Sequence, residues 1–284
     1  QEGVEVIEVG WARIPMEFTR SYGRRAISEL ERLNERLNVD VVHLHCPMIS
    51  WATPQFHHCI QNIAPVVSSL HGSWLGERDG LLEASMAKEA AVWATVNDIA
   101  IRLSAERYAK FESIAIRESS ICVANSRATK EDFDSRYNPP PNWDCEVIHW
   151  GVDTEMFRPL DIEKEEEKLN FTEIRKRFGA VSPGSKLILA VGRLAARKGY
   201  STLIRGFSAL NEEMPNTKLV IVGRGHLKRR LMRLAKSLGV EEDVRIESSL
   251  SFAELAQLYR SSDLVVYPSS VSYTHLRAHE TGCY

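Results

Sequence analysis

Short apolar runs alternate with helix-period segments along almost the whole chain. In the first half, "VEVIEV" (4–9), "VDVVHLHC" (39–46), "APVVSSLHG" (64–72), "SSICVANS" (119–126) and "CEVIHWG" (145–151) predict strands, with amphipathic segments at 16–38 and 85–118 between them. The rhythm breaks after Gly151, where "RPLDIEKEEEKLN" (158–170) carries a proline and five acids and reads as an exposed connection. It then resumes with strands at 186–192, 218–223, 243–248 and 263–268 and helices at 199–211, 226–238 and 251–261. Parallel neighbours need a crossover, and helices are the usual one, so repeated strand–helix–strand order predicts two Rossmann-like, doubly wound α/β domains. The boundaries expected are 1–151, a linker at 152–170, and 171–269.

Length agrees with two domains, since 284 residues exceed the usual size of one core. A formal charge of −2 gives no overall electrostatic reason to expect nucleic acid or an anionic membrane as partner, so any anion site must be local. The five cysteines show neither metal-ligand spacing nor the density of a disulfide scaffold, which points to a reducing, cytoplasmic setting. No apolar run approaches the roughly 20 residues of a membrane span. The chain opens on Gln1 rather than Met, so the expected native start is processed or missing.

Ligands of open parallel sheets collect beyond the carboxyl ends of strands, which singles out two turns in the second half. "VGRLAARKG" presents Gly192, Arg193 and Lys198 before a helix near Gly199, and "VGRGHLKRR" presents Gly223, Arg224 and Gly225. Glycine allows close backbone approach, a helix start offers unpaired N–H groups, and two added cations favour a diphosphate. Solvated cations at an ordinary turn remain the alternative. "GRGHLK" lacks the third glycine of a dinucleotide fingerprint and "RKGYS" has the wrong order for a Walker loop, which disfavours a dehydrogenase or a P-loop enzyme. The basic run 224–236 shares its segment with an apolar stripe, Leu227, Leu231, Leu234 and Leu238, and so reads as the solvated face of a packed helix.

No metal candidate emerges. On a strand His43 and His45 share a face while Cys46 points away, and the acids of "EDFD" (131–134) lie two apart in a helical run. His71 follows a strand and precedes Gly72; it is either a ligand-facing residue at a sheet edge or a loop histidine bonded to backbone.

"AVGRLAARKGYSTLIRGFSAL" followed by "KLVIVGRGHLKRRLMRLAKSLGVEEDVRIESSLSFAELAQLYRSSDLVVYPS" resembles the donor-binding domain of family 4 glycosyltransferases, retaining enzymes of the two-Rossmann B-type fold. Upstream, "VDVVHLHCPMISWA", "PVVSSLHG", "ICVANSRATKEDF" and "VIHWGVDTEMFRP" are similar to the acceptor-side domain, with features of the glycogen and sucrose-phosphate synthase branches. The resemblance implies that Arg193 and Lys198 bind the diphosphate of a nucleotide-sugar donor and that Gly192 admits its backbone-close approach. It also implies that Gly223, Arg224, Gly225 and Leu250 line the nucleotide pocket, and that His71 touches the transferred sugar. The resemblance further implies that the acceptor is a carbohydrate or another hydroxyl compound and that no metal and no further cofactor are needed.

Two positions depart from the family: serines in "ESSLS" where a glycine is usual, and Trp150 where an asparagine is common. The family continues past residue 269 with a glutamate-bearing loop and helix, whereas 270–284 reads here as a non-native, adaptor-derived tail. The C-terminal domain is therefore expected to be incomplete and the 284 residues alone inactive. A B-type-fold sugar phosphorylase or epimerase, or a non-catalytic nucleotide-sugar binding protein, are the alternatives.

Overall fold

A computed structural model describes residues 3–14, 17–46, 49–89 and 92–269. Its contacts fall into two compact units, one formed by Gln1–Asp79 with Trp93–Trp150, the other by Gly80–Val92 with the chain from Gly151 onward. The segment 270–284, read above as a tail, lies outside the described residues.

The first unit is built on a parallel sheet of β1 (Val42–Cys46), β2 (Val66–Leu70), β3 (Ile121–Ala124) and β4 (Cys145–Val147), in that spatial order. Strand β1 alternates, with Val42, Leu44 and Cys46 buried and His43 and His45 exposed, as period-2 side-chain placement requires. Helix α1 (Glu17–Leu37) precedes β1, and α2 (Thr53–Asn62), α3 (Trp74–Met86) with α4 (Val96–Glu118), and α5 (Arg127–Tyr137) connect the strands. Trp51, Phe56, Val66, Leu70, Ala124 and Phe133 form the centre of its core, each at most 1% exposed. Burying a side chain of that size stabilises by roughly 1.5–3 kcal/mol.

Two expectations fail here. Residues 4–9 form no strand, because Val4 and Val6 are 59% and 81% exposed and find neither a ladder partner nor a core to face. The segment 85–118 is not one helix: α3 ends at Met86 and α4 begins at Val96, where Thr95 caps it by accepting from Asp98 N at 3.1 Å. The start of α3 was missed although Ser73 caps it, accepting from Gly76 N at 2.9 Å.

Glu112 of α4 is 2% exposed and holds the start of α3. Trp74 N donates to both of its oxygens, at 3.1 and 3.2 Å, and Tyr137 Oη donates a further bond to it. Desolvation, reinforced by Asp132 and Glu77, pushes its carboxyl up to about 8. With the folded value above the ordinary 4.5, the group stabilises in full below pH 4.5 and loses that contribution as pH rises through about 8. Urea melts at pH 5, 7 and 9 should show the wild type weakening across that window while Glu112→Gln stays flat, by a few kcal/mol at most. Parallel slopes in the two proteins would assign the pH dependence to other groups.

The second unit carries β5 (Lys186–Val191), β6 (Thr217–Val222), β7 (Val244–Glu247) and β8 (Leu264–Val265), all parallel and ordered β7-β6-β5-β8. Alternate residues of β5 and β6 feed two separate cores. Ile188, Ala190, Leu219 and Ile221 pack with Ile204 and Phe207 of α7 (Tyr200–Glu213) and Leu231 and Ala235 of α8 (Lys228–Ser237). Leu187, Leu189, Val220 and Val222 pack with Ile174 of α6 (Glu165–Arg177), with Phe178 just after it, and with Leu258 of α9 (Phe252–Ser261). Both faces are covered, so the sheet is doubly wound, as the sequence pattern implied.

Helix α6 is the third correction, because the acid run at 165–167 is not connecting chain. Glu165–Glu167 occupy the first turn and Arg175–Arg177 the last, the arrangement the helix dipole favours. Its buried stripe is too thin to show in the sequence: Ile174 is its only buried residue.

Candidate functional site

Strand order puts the switch of the second sheet beside β5. The chain leaves β5 for β6 and β7 on one side, then returns to β8 on the other, and ligands of such sheets bind beyond the carboxyl ends at that reversal. Gly192 and Arg193 leave β5 at this point, and a short 3-10 turn, Ala196–Lys198, leads through left-handed Gly199 (φ 68°) into α7.

The turns after β5 and β6 are held together by backbone. Gly192 N donates to Val222 O and Leu194 N to Arg224 O, both at 2.9 Å, which extends the parallel ladder past the strand ends. A Cβ on Gly223 would stand 1.8 Å from Gly192 O, so these two chains meet with no room for a side chain. Pro268, after β8, approaches the same region, its carbonyl oxygen 1.9 Å from where a Gly199 Cβ would lie, and Ser269 Oγ donates to Arg197 O at 3.3 Å.

The cations differ in setting. The Arg193 side chain is exposed and makes no hydrogen bond or ion pair with a described residue, whereas Lys198 is half-buried at the end of the 3-10 turn. Arg224 Nε donates to Ser248 O at 3.3 Å and Lys228 Nζ bonds Ser248 Oγ at 2.9 Å, tying the second glycine turn to the chain after β7. Leu250 is partly buried against the α6/α9 core. Gly225, His226, Lys228, Arg229, Met232 and Arg233 line an open pocket of about 820 Å³ beside this turn.

The N–H groups at the start of α7 are not available to a ligand. Glu89, 8% exposed, accepts from Ser201 N at 3.0 Å, Thr202 N at 2.8 Å and Thr202 Oγ1 at 2.6 Å. This carboxylate satisfies the helix start and meets its dipole. The idea that the helix after Lys198 lends free amides to a diphosphate is therefore corrected. Sequence gave no signal for Glu89, since a cap from more than a hundred residues away has no local spacing.

In the first unit the register Cys46↔Leu70 sets His45 beside Ser69, so His43, His45, Ser69 and His71 gather on one side of β1 and β2. His45 Nδ1 and His71 Nε2 are 2.8 Å apart with ring planes at 6° and centroids 5.1 Å apart, the dimensions of an in-plane N–H···N bond. His43 lies over His45, with centroids 4.6 Å apart, and its Nε2 bonds Ser69 Oγ at 2.6 Å. Trp150, 51% exposed, has its ring 5.4 Å from that of His71. Burial first, and the other two histidines next, lower the His71 pKa; burial and His45 lower that of His43. His71 lies in the loop just after β2, and its ring bonds His45 rather than backbone.

Among the described residues no group of three or more His, Cys, Asp or Glu side chains is arranged to hold a metal ion, and no helix is long and apolar enough to cross a membrane. Cys46, Cys59, Cys122 and Cys145 are free and buried, and burial pushes each thiol up, away from nucleophilic use.

Comparison with known proteins agrees with this architecture. An uncharacterized glycosyltransferase of Methanocaldococcus jannaschii is 32% identical over 231 residues, which is 81% of this chain and 52% of that protein. The chain thus spans about half the length of that relative. Among solved structures, WaaG, a glycosyltransferase involved in lipopolysaccharide biosynthesis, aligns with TM-score 0.65 and 18% identity over 97% of this chain and 65% of its own. Sucrose-phosphate synthase from Thermosynechococcus elongatus aligns with TM-score 0.64 and 16% identity over 90% of this chain and 57% of its own. At those identities the likeness speaks for the fold, two Rossmann-like units of the glycosyltransferase B type. Residues 1–156 match the profile described as Glycosyltransferase Family 4 and residues 171–280 the one described as Glycosyl transferases group 1. The chain belongs to Glycosyltransferase Family 4.

Proposed function

We propose that the complete protein is a metal-independent, retaining glycosyltransferase that moves a sugar from a nucleotide-sugar to a carbohydrate or another hydroxyl acceptor. The observation that carries this reading is Arg193: an exposed guanidinium, unpaired among the described residues, at the carboxyl end of β5 beside the sheet's switch point. As the glycosidic bond breaks, negative charge grows on the leaving diphosphate. Arg193 and Lys198 stabilise it from fixed positions, and such charge-directed contacts strengthen in the transition state. The backbone clasp of Gly192 and Gly223 sets those positions in advance. The pocket beside Gly225 is of a volume that ordinary ligand sites have and takes the nucleoside; for His71 we keep the sugar-contact role that the family resemblance implies.

A panel of UDP-, ADP- and GDP-sugars offered to the complete enzyme in EDTA tests the proposal. We expect one donor class to support transfer undiminished by the chelator, with product of the donor's own anomeric configuration. Inverted product, or turnover that EDTA abolishes and a divalent cation restores, would reject it. A requirement for inorganic phosphate would favour a phosphorylase instead.

A further inference from the structure

Gly199 leaves α7 without a cap of its own. Ser, Thr, Asp and Asn open helices because their side chains accept from the first free amides, and none of them can stand at position 199. The backbone there is left-handed (φ 68°), and a Cβ would lie 1.9 Å from Pro268 O, so the chain after β8 closes the position to every residue but glycine. The deficit is made good from the stretch Gly80–Val92, which belongs to the second unit although it lies far upstream. Glu89 Oε2 accepts from Ser201 N, and Oε1 accepts from both Thr202 N and Thr202 Oγ1. The carbonyl before it, Lys88 O, accepts from Arg205 Nη2 at 3.3 Å. Two consecutive residues thus hold α7 along its first two turns.

Only Gly199 separates Lys198 from the first residue of that helix. The direction in which the 3-10 turn presents Lys198 therefore depends on where α7 begins, and glycine, the most permissive of residues, cannot set that direction alone. We propose that Glu89 is a positioning residue for Lys198: by fixing the start of α7 it holds the turn Ala196–Lys198 where the ammonium meets the leaving diphosphate. This rests on the reading of Lys198 as a diphosphate contact and adds what holds it in place. A carboxylate suits the task better than a neutral cap, since its two oxygens take three donors and its charge meets the positive end of the helix dipole. Glu89 touches no substrate in this role. Its effect passes through backbone, and a shift of about 1 Å at a group that stabilises developing charge costs up to about 10²-fold in rate.

A double-mutant cycle in the complete enzyme tests the proposal, with kcat measured below the melting transition of each variant. Lys198→Ala should lower kcat by about 10²–10³. Glu89→Ala should lower it by about tenfold or more, mainly in kcat rather than KM. Because Glu89 acts through Lys198, the two losses should not multiply: once Lys198 is alanine, Glu89→Ala should cost less than about twofold. A cap of purely structural role would lower the melting temperature and leave the turnover of the folded enzyme alone. Glu89→Gln keeps the shape and the bonds to Thr202 but cannot accept from Ser201 N, so it should fall between wild type and Glu89→Ala, and it supplies the same cycle should the alanine variant not fold. Unchanged kcat in the Glu89 variants, or losses that multiply with that of Lys198→Ala, would overturn the proposal and leave Lys198 its role. Normal turnover in Lys198→Ala would remove the diphosphate reading itself, and the proposal with it.

Discussion

Gly223→Ala is expected to destabilise the second unit by about 3 kcal/mol or more, the range reserved for severe backbone or packing conflicts. The added methyl would lie 1.8 Å from Gly192 O, about half of an ordinary contact, and it meets backbone, not a side chain that can swing aside. Neither chain can yield easily. Gly192 N is tied to Val222 O and Gly223 N to Glu247 O, at 2.9 and 2.8 Å, so relief requires breaking the end of the ladder across three strands. Gly206→Ala supplies the matched comparison. Gly206 lies exposed within α7 with nothing within 4 Å of its would-be Cβ, and Ala there should stabilise by about 0.5–1 kcal/mol through the unfolded state's lost freedom. Urea melts of the two variants should therefore move in opposite directions. A Gly223→Ala midpoint close to wild type would mean that the turns after β5 and β6 do not approach as described.

The second large effect is catalytic. In the complete enzyme, Arg193→Ala should lower kcat by about 10²–10³, the usual loss when one donor to developing transition-state charge is removed. The fall should appear mainly in kcat, because the interaction grows as the bond to the diphosphate breaks. Stability should change by less than about 0.5 kcal/mol, since the side chain is exposed and pairs with no described residue. Arg193→Lys should recover part of the rate, keeping the charge but not the planar fork. Unaltered turnover in Arg193→Ala would remove the guanidinium from the reaction and with it the main support for the proposed function.

The strands and their faces were legible because buried parallel strands announce themselves as short β-branched runs between turns, as "KLILAV" and "TKLVIV" do. The glycine turns were legible for the same reason that they matter: close backbone approach leaves no other residue type. What failed depends on partners that local pattern does not contain. The run 4–9 has the composition of a strand but no neighbouring ladder, and α6 hides a single buried isoleucine behind its charges. His45 was weighed only as a metal ligand, because its bond to His71 follows from the pairing of β1 with β2, and register is invisible before the sheet is known. Glu89 is the extreme case, a helix cap supplied across the sequence.

That cap also bears on how the protein can be dissected. The second unit is discontinuous: an excised piece beginning at Gly151 would keep every strand of its sheet, yet leave the amides of Ser201 and Thr202 without their carboxylate. Swapping carboxyl-terminal halves between relatives at the mid-chain junction would make the same error, pairing one protein's helix with another's connecting segment. Grafts that carry the stretch around Glu89 along with the downstream half preserve the match.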